Sequence, residues 1–424
     1  MRQLLRYDTF SRRFKKGFIS LSSPNFRKFF IGQTTSFIGS WVQNIGMGWL
    51  VYRLTGSIAL LGVVGFSSQI PALLVTPYAG VFADKLNRKK VMLYTQGAMM
   101  SIALIFAVLT LTNLITVWMI ILLSVVNGLI VAFDTPFRHS ILSDLLEDKE
   151  HLSNAVALNS IMVNSSRLVG PALAGFLISA FGEGICFLAN SLSFLAVIVA
   201  LLSIKTRYVA IKNQSFSPKA ITNELFEGIR YARENAGFKQ IFLVVFMSSL
   251  LCLPIQNFMP AFAKDVFKGD SETLGLLSGA FGLGALLGAF MLGQIANPIK
   301  LVRLIGIAGI LLSGGIILFA ASKMVAIAYL ALGIAGLGMI SQFATSNTII
   351  QVYSKSQYRG RMVSLYNVSF LGFTPIGSLL LGFIASFKCI GLQTTMIITS
   401  LIFMGISVNY LLRYKFVERK VLAS

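Results

Sequence analysis

Charged residues that interrupt long apolar runs are the ones that could do chemistry in this chain. Residues 58–83 and 91–133 contain no charged side chain. The segment between them, which we call the hinge, reads Gly80-Val-Phe-Ala-Asp84-Lys-Leu-Asn-Arg88-Lys89-Lys90. A lone carboxylate at the end of an apolar run, followed by cations, is hard to explain as soluble-protein surface, and it indicates a cytoplasmic connection that takes part in gating. The alternative is that its cations only fix the topology and that Asp84 is solvated.

Arg167 is a second candidate, because it lies within the apolar run 152–180, about 15 residues or ~20 Å from its start. An arginine inside a bilayer costs at least about 2.5 kcal/mol, so it should face the interior of a helix bundle and have a partner. Two interpretations stay open. Arg167 is either a structural residue, paired with Asp134 or with helix carbonyls, or an anion site that suits a carboxylate-bearing substrate.

The composition places these residues in a membrane. The chain has 424 residues, is 55% hydrophobic and only 12% charged, and its mean hydropathy is +0.78. A soluble domain carries roughly twice that charged fraction. A net charge of +21 would ordinarily indicate nucleic acid, but here the cations lie in short segments between apolar runs. We therefore predict a multi-pass protein whose partners are the lipid bilayer and a small molecule, with no nucleic acid.

Twelve apolar stretches approach or exceed the ~20 residues that span a ~30 Å hydrocarbon core, and each must be helical because lipid offers the backbone no partners. Their predicted bounds are 29–53, 58–83, 89–111, 115–137, 152–180, 184–204, 238–264, 273–296, 301–321, 325–351, 362–387 and 391–412. With the N-terminus placed inside, thirty of the 36 Lys and Arg residues fall on the inner side and five on the outer side. This asymmetry predicts that both termini are cytoplasmic.

The stretches fall into two sets of six, separated by the longest polar interruption. We predict a cytoplasmic N-terminal segment 1–28, a helix bundle 29–204, a cytoplasmic linker 205–237, a second bundle 238–412 and a cytoplasmic tail 413–424. Within the linker, residues 218–230 place apolar side chains at helical spacing, which indicates an amphipathic helix on the inner membrane face; a solvated linker is the alternative.

The two halves also show an internal repeat. Residues 170–179 match residues 377–386, which lie in the fifth stretch of each half. The hinge has a weaker counterpart at residues 293–297, where Asn297 stands in place of the acid. The halves are therefore expected to share a shape but not a charge pattern.

The hinge resembles the loop between the second and third helices of the major facilitator superfamily. It keeps the glycine, the aspartate, Lys85 and the basic pair of that loop, and departs from it at Asn87, where a small residue is usual. Six further segments resemble the drug and siderophore efflux branch, which includes the enterobactin exporter and macrolide-efflux-type proteins. They are Phe37-Ile-Gly-Ser-Trp41-Val-Gln43, Ala132-Phe-Asp134-Thr-Pro136-Phe-Arg138, Asn154-Ala-Val-Ala-Leu-Asn159-Ser160, Arg167-Leu-Val-Gly170-Pro171-Ala-Leu-Ala-Gly175, Cys186-Phe-Leu-Ala-Asn190-Ser-Leu-Ser-Phe194 and Arg359-Gly360-Arg361.

This resemblance implies an all-α membrane protein with twelve transmembrane helices in two six-helix halves, located in the cytoplasmic membrane. It implies a secondary-active transporter that exports a siderophore or an amphipathic drug-like compound by alternating access; an importer on the same fold is the alternative. Proton coupling is implied as well, although none of the 15 acidic residues lies near the middle of a predicted helix. Asp134, near a cytoplasmic helix end, is the candidate carrier.

The resemblance also assigns roles to individual residues. A cytoplasmic latch that favours the outward-open state is expected from Gly80, Asp84, Arg88, Asp134, Arg138 and Arg361. A bend is expected at Gly170 and Pro171. Helices one, four, seven and ten line the cavity of this fold, and polar residues in the apolar stretches are candidate substrate contacts; each could equally be an interhelical hydrogen bond worth under ~1 kcal/mol. With Arg167, these candidates are Gln43, Asn44, Gln69, Asn127, Asn159, Asn164, Gln256, Asn257, Gln342, Asn347 and Asn367.

Rival functions find little support in the chain. There is no GxxxxGK[ST] phosphate loop. A membrane-embedded enzyme would need clustered His, Asp or Cys, whereas the three cysteines and two histidines are few and form no such cluster. No charged ring or re-entrant filter indicates a channel. We therefore expect no enzyme activity, no metal, no cofactor and a monomer.

Overall fold

The computed structural model describes residues 17–204, 218–295 and 299–422, and within these ranges it contains helices and no β-strand. The first half consists of α1 (Pro24–Thr55), α2 (Ile58–Lys85), α3 (Arg88–Leu111), α4 (Val117–Ile141), α5 (Leu152–Phe181) and α6 (Glu183–Ser203). The linker contains α7 (Pro218–Glu234). The second half consists of α8 (Ala236–Leu251), α9 (Ile255–Ala261), α10 (Ser271–Leu292), α11 (Lys300–Ala321), α12 (Val325–Tyr353), α13 (Arg359–Leu371), α14 (Phe373–Ser386) and α15 (Gly391–Leu412), followed by α16 (Tyr414–Leu422).

Eleven helical segments of the described ranges are long and apolar enough to cross a membrane. α1 is a twelfth long helix, with 32 residues, but it is less apolar because Gln33, Gln43 and Asn44 interrupt it. The side chains of these three residues face the interior of the protein rather than lipid. The prediction of an all-α membrane fold with two six-helix halves is confirmed, while the cytoplasmic placement of the termini stays a prediction.

Two of the predicted helices are interrupted. The seventh stretch breaks after α8 because Pro254 has no N–H to continue the helix, and it ends in a π-helical turn at Phe262–Val266. The eleventh stretch is divided between α13 and α14 at Gly372. The fifth stretch, in contrast, is continuous through Pro171. The bend expected at Gly170 and Pro171 therefore stays a prediction.

The ends of the helices define two ends of the bundle. α1 begins beside the end of α6, where Lys28 Nζ donates to the carbonyl oxygen of Ser203 at 3.4 Å. α8 begins beside α16, where Asn235 Nδ2 donates to the carbonyl oxygen of Lys420 at 3.1 Å. We call this the terminal end, because both ends of the described chain lie there, and the opposite end the distal end. The terminal end is the one predicted to be cytoplasmic. Asn297, in the weaker copy of the hinge, lies outside the described residues.

The two halves approach each other most closely toward the distal end, through glycines. A Cβ added to Gly62 of α2 would lie 2.3 Å from the carbonyl oxygen of Ser378 in α14. A Cβ added to Gly175 of α5 would lie 2.8 Å from the carbonyl oxygen of Ser271 in α10. Both distances are too short for any larger residue without movement of the backbone. Small residues therefore close the distal side by direct helix-to-helix contact.

Candidate functional site

A cavity of about 610 Å³ lies between the two halves, on the terminal side of the glycine contacts. This volume is within the range of small-molecule sites, which is roughly 300–1,000 Å³. The first half contributes residues of α1 to α6, and the second half contributes residues of α9, α10, α12, α13 and α14 together with the break before α9. At its terminal end the cavity reaches Gln33 and Arg138, close to the ends of α1 and α4. A ligand held here would touch both halves at once.

Arg167 lies on α5 where this helix packs against α10. A Cβ added to Gly282 of α10 would lie 2.6 Å from the Arg167 carbonyl oxygen, so the two backbones touch at this level. The guanidinium carbon lies 5.3 Å from the centroid of the Trp41 ring, in cation–π geometry. Its Nε is buried without a hydrogen-bond partner, and Arg167 forms no ion pair with any described residue. The structural pair with Asp134, one of the two interpretations of Arg167, is not formed here.

Asp134 instead has its own set of donors within the first half. Its Oδ1 accepts hydrogen bonds from Thr95 Oγ1 at 2.7 Å and from Gln96 Nε2 at 2.9 Å, both on α3. Its Oδ2 lies 3.5 Å from Nη1 of Arg138, one turn along α4. The guanidinium of Arg138 in turn lies 4.6 Å from the centroid of the Phe37 ring on α1. A buried carboxylate at the cavity wall is thus connected to three helices.

The eleven predicted polar contacts other than Arg167 fall into two groups, six that line the cavity and five that do not. Those that line the cavity are Gln43, Asn44, Gln69, Asn127, Gln256 and Asn257; those that do not are Asn159, Asn164, Gln342, Asn347 and Asn367.

 Seven of these eleven residues already form hydrogen bonds within the protein: Gln43, Gln69, Asn164, Gln256, Asn257, Gln342 and Asn347. Asn44 and Asn127 line the cavity without a hydrogen bond to any described residue, so their amide groups are the ones available to a ligand.

The residues expected to form the latch are described only in part, and among them Asp134 and Arg138 are paired. Arg88 Nη1 lies 2.9 Å from Asp144 Oδ1 within the first half. Arg361 Nη1 lies 2.5 Å from Glu227 Oε2, so the start of α13 is tied to the linker helix α7. A Cβ added to Gly80 would meet nothing within 4 Å. The side chain of Asp84 lies outside the described part of the structure. The latch therefore stays a prediction.

The distal end holds polar contacts that we did not predict from the sequence. Tyr52 of α1 donates its hydroxyl to Asp265 in the π-helical turn, which joins the two halves. Lys264 Nζ lies 6.0 Å from the centroid of the Tyr52 ring. Nearby in the first half, Arg53 Nε lies 2.6 Å from Glu183 Oε1. These contacts close the side of the protein opposite to the cavity.

Comparison with known proteins identifies the family. The family described as transmembrane secretion effector matches residues 15–424, nearly the whole chain. The chain belongs to this family. It is a multi-pass membrane transporter of the major facilitator superfamily, in the drug and siderophore efflux branch, as the resemblance predicted.

Curated relatives and solved structures agree with this assignment. The chain is 26% identical over 378 residues to the staphyloferrin A transporter of Staphylococcus aureus. The matched region covers 86% of this chain and 92% of the relative. It is 24% identical over 363 residues to macrolide efflux protein A of Streptococcus pyogenes, with 82% and 86% covered. Its fold is similar to that of a bacterial homologue of the human lysosomal transporter Spinster, in an inward-facing and unoccupied conformation. That similarity has a TM-score of 0.72 at 16% identity and covers 95% of this chain and 98% of the other.

Several residues of the site were missed by the sequence reasoning. Gln33, Thr95 and Gln96 are buried polar residues, and Gln33 and Gln96 line the cavity. Gln33 and Gln96 carry the same amide group as the residues that were predicted, but Thr95 and Gln96 lie on the third helix, which was not expected to line the cavity. Trp41 was noted only as part of a motif. Its contact with Arg167 depends on Gly170, where an added Cβ would lie 2.3 Å from Trp41 Cβ.

Proposed function

We propose that this transporter exports a small organic molecule, a siderophore or a drug-like compound, by alternating access coupled to protons. The observation that supports this most strongly is the position of the cavity. It lies between the halves, and direct backbone contacts close its distal side. A substrate that enters from the terminal end, predicted to be cytoplasmic, would leave at the distal end once those contacts separate.

The two conformations would differ in which set of contacts between the halves is made. In the present one, α2 meets α14 and α5 meets α10 at the distal end, and Tyr52 bonds to Asp265. In the other, the distal contacts open and the hinge latch forms at the terminal end. Arg361 would then have to leave Glu227, its present partner. A ligand shifts such an equilibrium only by its difference in affinity for the two states.

Asp134 is the group we assign to proton coupling. It is buried at the cavity wall, and its negative charge is held by two neutral donors and by Arg138. Protonation would remove the attraction between Asp134 and Arg138. Because the Arg138 guanidinium packs on Phe37, a movement of Arg138 would be transmitted to α1, the helix that carries Trp41 and Asn44. A proton and a substrate could thus influence the same helix.

The test is a comparison of small molecules in spent medium from cells with and without this protein, under iron-replete and iron-starved growth. We expect at least one compound to be enriched outside cells that contain the protein. Enrichment inside those cells, with depletion from the medium, would instead support an importer on the same fold. Identical compound profiles under both growth conditions would contradict the proposal.

A further inference from the structure

Arg167 carries a positive charge that has neither an ion pair nor a hydrogen bond with any described residue. Its guanidinium has five N–H donors, and none of them forms a hydrogen bond with a described residue. The one acid among the described residues that line the cavity does not compensate: Asp134 is paired with Arg138, one turn along its own helix. A charge at membrane depth without a hydrogen-bonded or ionic partner is costly, and such charges in membrane proteins mark ligand pathways.

The surroundings hold this charge in one place. Gly170 allows α1 to approach α5 closely enough that the Trp41 indole lies against the guanidinium. On the other side, Gly282 of α10 packs directly on the Arg167 backbone. The side chain therefore emerges between α1 and α10 and faces the cavity. The guanidinium carbon lies over the Trp41 ring, and the N–H groups, which no described residue uses, are left for an acceptor in the cavity.

The geometry points to Arg167 as the site that binds a carboxylate group of the substrate, with Trp41 as its support. A planar guanidinium matches a carboxylate with two parallel hydrogen bonds. Asn44, one turn beyond Trp41, and Asn127 add uncommitted amide groups to the same cavity. This inference rests on the proposed function and narrows it: the substrate class is an organic acid, with the carboxylate seated where α5 and α10 meet.

That location would also give the bound anion an effect on the conformation. The Arg167 backbone forms part of the contact between α5 and α10, and further along these helices Gly175 and Ser271 form the distal closure. An anion held by the side chain would lie beside the point at which the halves separate. Binding of the anion and stability of the distal closure would therefore both depend on Arg167.

The test measures binding to the purified full-length protein in lipid nanodiscs. The probes are a panel of mono-, di- and tricarboxylic acids, each paired with its neutral methyl ester, and the readouts are tryptophan fluorescence and melting temperature. We expect the acids of the panel that fit to bind the wild type more tightly than their esters do. Arg167→Gln should weaken acid binding by about tenfold or more and leave ester binding unchanged. Arg167→Lys, which keeps a point charge but loses the planar fork, should be intermediate.

Arg303→Gln is the matched control, because Arg303 also packs on an aromatic ring, that of Tyr414 at 5.7 Å, but lies outside the cavity. It should bind the acids as the wild type does. The melting temperature of the ligand-free protein separates the two roles of Arg167. Removal of a charge that has no ionic partner should leave this melting temperature unchanged or raise it, whereas loss of a structural residue should lower it.

Two outcomes would overturn the inference. One is that no acid of the panel binds the wild type better than its ester; the other is that Arg167→Gln binds acids and esters as the wild type does. Neither outcome bears on export itself, which is measured separately in spent medium. Export without acid binding would leave the proposed function in place and remove only the assignment of the substrate class.

Discussion

Substitution of Gly62 by alanine should shift this transporter toward the state that is open at the distal end. In the present structure the added Cβ would lie 2.3 Å from the Ser378 carbonyl oxygen and 3.1 Å from the Cα of Gly382. An ordinary contact begins near 3.4 Å, so α2 and α14 would have to separate by about 1 Å. Overpacking of this kind costs about 1–3 kcal/mol.

That cost falls on the distal-closed state alone, because the contact is absent once the helices part. A difference of 1–3 kcal/mol changes the ratio of two states by about 5- to 150-fold. Gly97→Ala is the matched control, since Gly97 lies inside α3 and a Cβ there would meet nothing within 4 Å. The control should leave the ratio of states unchanged.

The assay is a pulsed electron–electron distance measurement between spin labels at the two distal loops. Leu114, between α3 and α4, and Lys323, between α11 and α12, are exposed and belong to different halves. Cys389 must be replaced first because it is exposed, whereas Cys186 and Cys252 are buried. We expect Gly62→Ala to add a population at longer distance. A distance distribution equal to that of the wild type and of Gly97→Ala would refute the reasoning.

Two further variants test other parts of the account. Tyr52→Phe removes the hydrogen bond to Asp265 across the distal closure, a loss of about 1 kcal/mol. It should raise the distal-open population roughly fivefold, measured with the same label pair. An unchanged population would show that this bond does not hold the closure. Asp134→Asn keeps the size of the side chain but cannot exchange a proton, so transport should lose its dependence on a pH gradient while substrate binding persists. A gradient dependence equal to that of the wild type would remove Asp134 as the coupling group.

The sequence was sufficient for the fold because lipid imposes a simple rule on it. Long apolar runs must be helices, and the position of the linker divides them into six and six. The break at Pro254 could have been anticipated, because proline removes a helix hydrogen bond. The break at Gly372 could not, since it depends on how α14 packs on α2, where an added Cβ at Gly372 would meet Leu73 at 2.5 Å.

The site was harder to predict because its contacts join distant residues and depend on the conformation. Tyr52 and Asp265 are 213 residues apart, and nothing local marks them as partners. Arg361 was expected in the latch, and in this structure it pairs with Glu227 of α7, a partner that the sequence did not indicate. If the chain alternates between two arrangements of the same helices, as we propose, its sequence does not indicate which partner a charge has in each. The unpaired state of Arg167 likewise became visible only once its neighbours were placed.

The central claim is that this chain moves a substrate outward by alternating access, and transport into inside-out membrane vesicles tests it most directly. The substrate is the compound found in spent medium, and the vesicles contain the wild type or Asp84→Asn at equal abundance. The account predicts that wild-type vesicles accumulate the compound, that a protonophore abolishes the accumulation, and that Asp84→Asn vesicles do not accumulate it. Accumulation only in right-side-out vesicles, or undiminished transport by Asp84→Asn, would contradict it.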